Sequence, residues 1–145
     1  MLDDADVTRV LVVTAHPDDV DFGASGTISL WTSAGIAVTY CVITDGDAGG
    51  FDPAVPRSEI PGIRRAEQVA AAAAAGVTDV RFLGYRDGEL TVTHGLRRDI
   101  SRELLQGAVS GGFAAPQPLT ETLYAWVAER RGFSLLRLGE ADLPT

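Results

Sequence analysis

The chain has 145 residues, of which 46% are hydrophobic and 22% are charged, and these values are typical of one soluble globular domain. The net charge of −8 argues against nucleic acid or an anionic membrane as the main partner. All 12 basic residues are arginines, which excludes the lysine-dependent sites of Walker phosphate loops, Schiff-base enzymes and phosphoacceptor receiver domains.

The N-terminal residues 1–8 are acidic, whereas a secretory signal is basic and then apolar. We therefore expect a cytoplasmic protein. No apolar run approaches the roughly 18 residues that a membrane helix needs, so we also expect no membrane span.

The hydrophobic pattern predicts strands that alternate with helices along the first part of the chain. In chain order, we predict a strand at 9–15, a turn at 16–22, a helix at 27–34, a strand at 36–44, a long loop at 45–62, a helix at 63–75, a strand at 79–83, a loop at 84–90 and a helix at 96–106. The strand runs are continuously apolar and β-branched, as in strands buried on both faces of a parallel sheet. The sequence therefore predicts an α/β, Rossmann-like layered fold with a mostly parallel sheet.

The single cysteine, Cys41, lies inside the second of these strand runs. A lone cysteine cannot form an internal disulfide, and an apolar run favours a small core residue over a nucleophile. We therefore predict that Cys41 is buried and takes no part in chemistry.

The alternating pattern ends after residue 106, where residues 107–118 are rich in Gly, Ala and Pro. Residues 120–131 predict a short helix with three apolar residues on one face, and residues 133–138 predict a short strand. We expect the C-terminal part of the fold to be incomplete or irregular. The chain accordingly divides into residues 1–106 and a divergent tail, residues 107–145.

The most informative turn follows the first strand and reads His16-Pro17-Asp18-Asp19. Ligands of open α/β sheets bind beyond the carboxyl ends of the strands. His16 and Asp19 are three residues apart, so one tight turn directs both toward the same ion, and imidazole and carboxylate are normal Zn²⁺ ligands. Asp18 projects differently, as a general base beside the metal requires. Zinc makes a bound water acidic enough to supply hydroxide at neutral pH and polarises a carbonyl, as amide hydrolysis requires.

The same residues have a structural interpretation. Pro and Asp are common at helix starts, where carboxylates accept hydrogen bonds from free N–H groups. A capping turn needs only one acid, so the pair Asp18 and Asp19 favours metal binding. From the residues alone, both interpretations stay open.

Five segments resemble the zinc-dependent GlcNAc-phosphatidylinositol de-N-acetylase family, also called LmbE-like, which includes deacetylases of mycothiol and bacillithiol biosynthesis. The segments are AHPDD at 15–19, GASGTI at 23–28, TDGDAGG at 44–50, IRRAEQ at 63–68 and FLGYRDGEL at 82–90. They follow the family's order and spacing over about two-thirds of the chain. The resemblance implies that His16 and Asp19 bind zinc and that Asp18 is the base.

The resemblance also implies three substrate-binding residues, Asp47, Arg64 and Asp87. Family members often have Glu at the position of Asp47, Arg64 begins the helix after the long loop, and Asp87 follows the third strand. Each also has a structural interpretation, Asp47 and Asp87 as turn residues and Arg64 as a solvated helix-end residue. Glu67 lies one helical turn from Arg64 and is its expected partner.

The sequence departs from the family at the third zinc ligand. Family members are longer and take this ligand from a histidine in a later HPDH-like segment, whereas the chain has 2 histidines, His16 and His94. His94 lies where the family has no ligand. A shifted reading frame or a truncated gene is one hypothesis for the tail after residue 106, which other forward frames of the encoding DNA would test.

The resemblance implies hydrolysis of the N-acetyl group of an N-acetylglucosamine-type sugar, with a small amino sugar as partner and Zn²⁺ as cofactor. Because the third ligand segment is missing, we expect weak metal affinity and little or no activity from the chain by itself. The alternative is a non-catalytic sugar-binding or interaction domain of the same origin. The sequence leaves the particular sugar and the oligomeric state open.

Overall fold

A sheet with helices on both faces organises the chain in a computed structural model that describes residues 7–50, 52–109, 124–129 and 132–137, with side chains for 7–50 and 52–106. In chain order the elements are β1 (Arg9–Thr14), α1 (Asp19–Gly23), α2 (Ser25–Ser33), β2 (Ala37–Thr44), a 3₁₀ turn (Arg57–Glu59), α3 (Ile60–Ala74), β3 (Asp79–Tyr85), α4 (His94–Val109), β4 (Tyr124–Glu129) and β5 (Gly132–Arg137).

The strand order in the described part of the sheet is β3-β2-β1-β4-β5. Strand β1 is parallel to β2 and β4, and β2 is parallel to β3, whereas β5 is antiparallel to β4. The mostly parallel α/β sheet predicted from the sequence is therefore confirmed. Because β1, β2 and β3 are parallel, the turns after them meet at one edge of the sheet.

Strand β1 contributes side chains to two apolar layers because alternate residues of a strand point to opposite faces. Val10 and Val12 pack in one layer with residues of α1, α2 and α3. Leu11 and Val13 pack in the other, against α4 residues that include Leu104. The sheet is thus covered on both faces, which explains the continuous apolar runs.

The helices differ from the prediction mainly at their starts. Residues 19–22, predicted as part of a turn, belong to α1, and α2 begins at Ser25, before the predicted start at residue 27. Helix α3 begins at Ile60 because Pro61 is tolerated in a first helical turn. No helix within the described ranges combines the length and apolar character that a membrane crossing requires.

The tail contains one wrong prediction. Residues 124–129, predicted as part of a helix, form β4 beside β1. The segment Tyr-Ala-Trp-Val-Ala-Glu fits strand and helix spacing alike, and pairing with β1 decides in favour of the strand. The short strand predicted at 133–138 is confirmed over 133–137 by β5, while residues 110–123, 130–131 and 138–145 lie outside the described residues.

Cys41 is fully buried in the layer beneath α4, as predicted. Burial, with a smaller contribution from Glu103, raises the pKa of its thiol to about 12. At neutral pH, this pKa lowers the thiolate fraction by roughly three orders of magnitude relative to an ordinary cysteine.

We therefore expect a thiol reagent to label the native chain at least about 100-fold more slowly than the denatured chain. Absorbance of the released chromophore measures both rates. Equal rates in the native and denatured chains would show that Cys41 is accessible.

Candidate active site

Three turns meet at the carboxyl ends of β1, β2 and β3. The ends of β1 and β2 are tied together at Thr44, whose N–H and hydroxyl donate to the Ala15 carbonyl oxygen at 2.9 and 2.8 Å. Thr44 is fully buried, so these bonds are shielded from water. The polar residues that follow β1 and β2 are therefore attached to strand ends that are held together by hydrogen bonds.

The turn after β1 brings His16 and Asp19 together. Asp19 Oδ2 lies 3.6 Å from His16 Nδ1 and also accepts a hydrogen bond of 2.9 Å from the His16 backbone N–H. Asp18, the residue before the first turn of α1, makes no capping hydrogen bond with its side chain. The Asp18 carboxylate therefore does not cap this helix, and the Asp19 carboxylate lies beside the imidazole.

Asp18 is held by α3. It has φ of 83°, a left-handed conformation that Asp adopts more readily than most residues. Its carboxylate lies 2.5 Å from Arg64 Nη2, and Arg64 also donates to Glu67 at 2.6 Å, which confirms that pair. Burial lowers the pKa of Arg64, but its bonds to Asp18 and Glu67 outweigh burial and raise the pKa. Arg64 therefore stays charged while it orients Asp18.

Asp87 and Asp47 lie in the turns after β3 and β2. Asp87 Oδ1 is 2.9 Å from His16 Nε2, and the Asp87 backbone N–H donates to Asp47 Oδ1 at 2.8 Å. The structure thus brings His16, Asp87 and Asp47 into one contact chain. Asp87 contacts a proposed metal ligand, a position that the sequence pattern did not indicate.

A pocket of about 500 Å³ lies at this edge. Its lining residues are His16, Pro17, Asp18, Gly46, Gly49, Gly50, Arg64 and Asp87. Small-molecule sites commonly have roughly 300–1,000 Å³, so the space suits a sugar-sized ligand. Asp19 and Asp47 are not among the lining residues. Each contacts a residue that is: Asp19 lies beside His16, and Asp47 accepts a hydrogen bond from the Asp87 backbone.

His16 and Asp19 are spaced as two ligands of one divalent ion would be, but the described residues offer no third ligand beside them. Zinc bonds of about 2.0–2.2 Å place two tetrahedral ligand atoms roughly 3–4 Å apart, and His16 Nδ1 and Asp19 Oδ2 are 3.6 Å apart. Within the described residues, however, no group of three His, Cys, Asp or Glu side chains is placed to hold a metal. His94, the first residue of α4, belongs to no such group.

Sequence reasoning gave no role to Gln68, although it contacts Asp18 and Asp21. It is 2% exposed, its Oε1 accepts a hydrogen bond from the Asp18 N–H at 2.5 Å, and its Nε2 donates to Asp21 at 3.5 Å. Burial raises the pKa of Asp21, and the bond from Gln68 offsets part of this shift. The helical spacing could have indicated that Gln68 is buried, because it lies one turn before buried Ala72 on the same face of α3.

Arg57 was also missed, although it holds the glycine-rich loop that lines the pocket. Its guanidinium donates to the carbonyl oxygens of Gly49 at 2.7 Å, Gly50 at 3.0 Å and Asp47 at 2.5 Å. Gly50 has φ of 79°, and a Cβ at this position would lie 2.8 Å from Ile60 Cδ1. Glycine is therefore required where this loop crosses the start of α3.

The sequence profile of the family PIG-L: GlcNAc-PI de-N-acetylase matches residues 11–110. The chain belongs to this family, because the match covers more than half of it. This confirms the resemblance that the five motifs indicated.

Named relatives agree with the family. The chain is 38% identical over 95 residues to diacetylchitobiose deacetylase of Thermococcus kodakarensis, covering 66% of this chain and 36% of the relative. It is 42% identical over 83 residues to 1D-myo-inositol 2-acetamido-2-deoxy-alpha-D-glucopyranoside deacetylase of Actinosynnema mirum, covering 52% and 29%.

Among solved structures, N,N'-diacetylchitobiose deacetylase from Pyrococcus horikoshii, complexed with its inhibitor MPG, matches with a TM-score of 0.67 and 36% identity. The match covers 69% of this chain and 38% of that one. The chain thus spans less than two-fifths of the length of each of these three proteins.

Proposed function

We propose that the chain carries part of the active site of a zinc-dependent hydrolase that removes the N-acetyl group from an N-acetylglucosamine-type sugar. One observation carries this proposal: His16 Nδ1 and Asp19 Oδ2 lie 3.6 Å apart at a pocket that Asp18 and Arg64 line. The deacetylases among the relatives support the reaction type.

In this proposal, His16 and Asp19 hold the Zn²⁺ ion. When bound, zinc polarises the amide carbonyl and makes water acidic enough to react near neutral pH. The Asp18 carboxylate takes a proton from the attacking water and passes it to the leaving amine. Arg64 keeps this carboxylate at the pocket wall through the contact of 2.5 Å.

In this proposal, the sugar is held by polar groups that line the same pocket. Arg64 and Asp87 line the pocket and offer a guanidinium and a carboxylate to sugar hydroxyl groups. Asp47, the third substrate-binding residue of the proposal, lies behind Asp87 and contacts its backbone.

We further propose that residues 1–106 form the deacetylase-like portion and that residues 107–145 are a divergent tail. The 145-residue chain supplies a histidine besides His16 only at His94, which is not grouped with the pair. A site with two protein ligands binds zinc more weakly than one with three, because each ligand adds affinity. We therefore expect the chain by itself to be a slow catalyst.

A second candidate is a non-catalytic sugar-binding or interaction domain. The specific observation in its favour is that the described residues contain no group of three metal ligands. A domain of this kind binds the sugar through Arg64 and Asp87 and takes up no zinc at His16.

Acetate release from an N-acetylglucosaminide, measured with and without added zinc, tests the proposal. We expect slow release that requires zinc, is lost in Asp18→Asn, and persists in Asp52→Asn, a control at an exposed loop carboxylate. Sugar binding without zinc uptake would favour the second candidate. A turnover rate in the ordinary enzyme range of about 1–10³ s⁻¹ would contradict the expected weakness of the site.

A further inference from the structure

We infer that Asp87 is a positioning residue for His16: its carboxylate accepts the imidazole Nε2–H and thereby directs Nδ1 toward Asp19. The inference rests on the proposed function in one respect, since it is the zinc of that proposal that Nδ1 would bind. It goes further because the family resemblance and the proposed function give Asp87 only a role toward the sugar.

The two imidazole nitrogens have different partners. His16 Nε2 is 2.9 Å from Asp87 Oδ1, which is a hydrogen-bond distance, whereas Nδ1 is 3.6 Å from Asp19 Oδ2, which is too long for one. A neutral imidazole carries its proton on one nitrogen and a lone pair on the other. A carboxylate oxygen 2.9 Å from Nε2 favours the tautomer with the proton on Nε2, which leaves the lone pair on Nδ1, on the side of Asp19.

The two carboxylates cannot share one ion with this imidazole. Asp87 and Asp19 lie at different ring nitrogens, which face different directions. This agrees with the finding that no three such side chains within the described ranges are grouped to hold a metal. Asp87 therefore acts on a bound ion through His16, as outer carboxylates commonly act on metal-ligating histidines.

Asp87 is well placed to hold the imidazole because it is itself held. Its side chain is 16% exposed, against 42% for His16, and its backbone N–H donates to Asp47 Oδ1 at 2.8 Å. Asp47 follows β2, Asp87 follows β3 and His16 follows β1. The contact chain thus anchors the imidazole to all three parallel strands.

The first arm of the test reads the imidazole tautomer from ¹⁵N chemical shifts at about pH 8, where an ordinary histidine is neutral. The chain has 2 histidines, so the spectrum is simple to assign, and His94 serves as an internal reference. We expect His16 to be held as the Nε2–H tautomer in the wild type and to become mixed in Asp87→Ala. Asp87→Asn keeps an oxygen acceptor and should preserve the tautomer.

The second arm measures zinc affinity by competition with a chelator. We expect Asp87→Ala to weaken binding by about 10–100-fold, the range found when outer partners of metal ligands are removed. The matched control is Glu89→Ala, a carboxylate of the same loop that is 66% exposed and pairs with Arg86. It should bind zinc as the wild type does.

The arms separate the two proposals. A mixed or Nδ1–H tautomer of His16 in the wild type overturns the inference. This result needs no variant, so the inference can be tested even if Asp87→Ala does not fold. Zinc affinity in Asp87→Ala equal to that of the wild type also overturns it. A wild type that holds the Nε2–H tautomer but takes up no zinc supports the role of Asp87 toward His16 and contradicts the proposed metal site.

Discussion

Replacing Gln68 with leucine is expected to lower the free energy of unfolding by about 1–3 kcal/mol, because one part-buried backbone N–H loses its acceptor outright and a part-buried carboxylate loses a weaker bond. The Asp18 N–H loses its acceptor at 2.5 Å, and Asp21 loses a donor at 3.5 Å. Leucine is close to glutamine in size, so the loss is one of hydrogen bonding with little change in packing. Chemical denaturation of both proteins measures the difference.

The matched control is Gln106→Leu, the same chemical change at an exposed position of α4. Surface changes of this kind commonly stay within about 0.5 kcal/mol. Amide hydrogen exchange adds a local readout, since the Asp18 N–H should lose protection far more than the amides of Val12 and Val42 in the core. Equal stability of the Gln68 and Gln106 variants would contradict the assigned role of Gln68.

The fold was largely predictable because its central strands are unambiguous. The runs at 9–15 and 36–44 are apolar at most of the positions that the sheet buries, with Thr14 and Thr44 as buried polar exceptions at the strand ends, and β1 and β2 follow the runs closely. Strand β4 was not predictable, because its short segment fits both periods and its partner β1 is distant in sequence. Long-range pairing of this kind overrides local preference.

The candidate site was predictable only in its local part. His16 and Asp19 share one tight turn, so their spacing alone indicates contact. The bond from Asp18 to Gln68 joins residues 50 positions apart, and the approach of Asp87 to His16 depends on the order of the strands. Residue types indicate such contacts only once the sheet topology is known.

Replacing His16 with alanine is expected to abolish zinc uptake under conditions that load the wild type. The imidazole is one of only two ligand groups assigned to the ion. In the variant only the Asp19 carboxylate is left, and one of its oxygens already accepts a backbone hydrogen bond. The loss should exceed the roughly 100-fold that removal of an outer partner can cause. His16 is 42% exposed at its side chain, so the variant should fold, and circular dichroism checks this.

The matched control is His94→Ala, which removes the other of the 2 histidines of the chain, at the start of α4. It should take up zinc as the wild type does. A loss of zinc in this variant as well would place His94 in the metal site and would revise the ligand set.

Zinc stoichiometry by equilibrium dialysis and elemental analysis, with the wild type beside the two histidine variants, tests the central claim most directly. The account predicts about one ion per chain for the wild type and His94→Ala at saturating zinc, and none for His16→Ala. Equal zinc content in the wild type and His16→Ala, or no zinc in the wild type, would contradict a metal site at this turn.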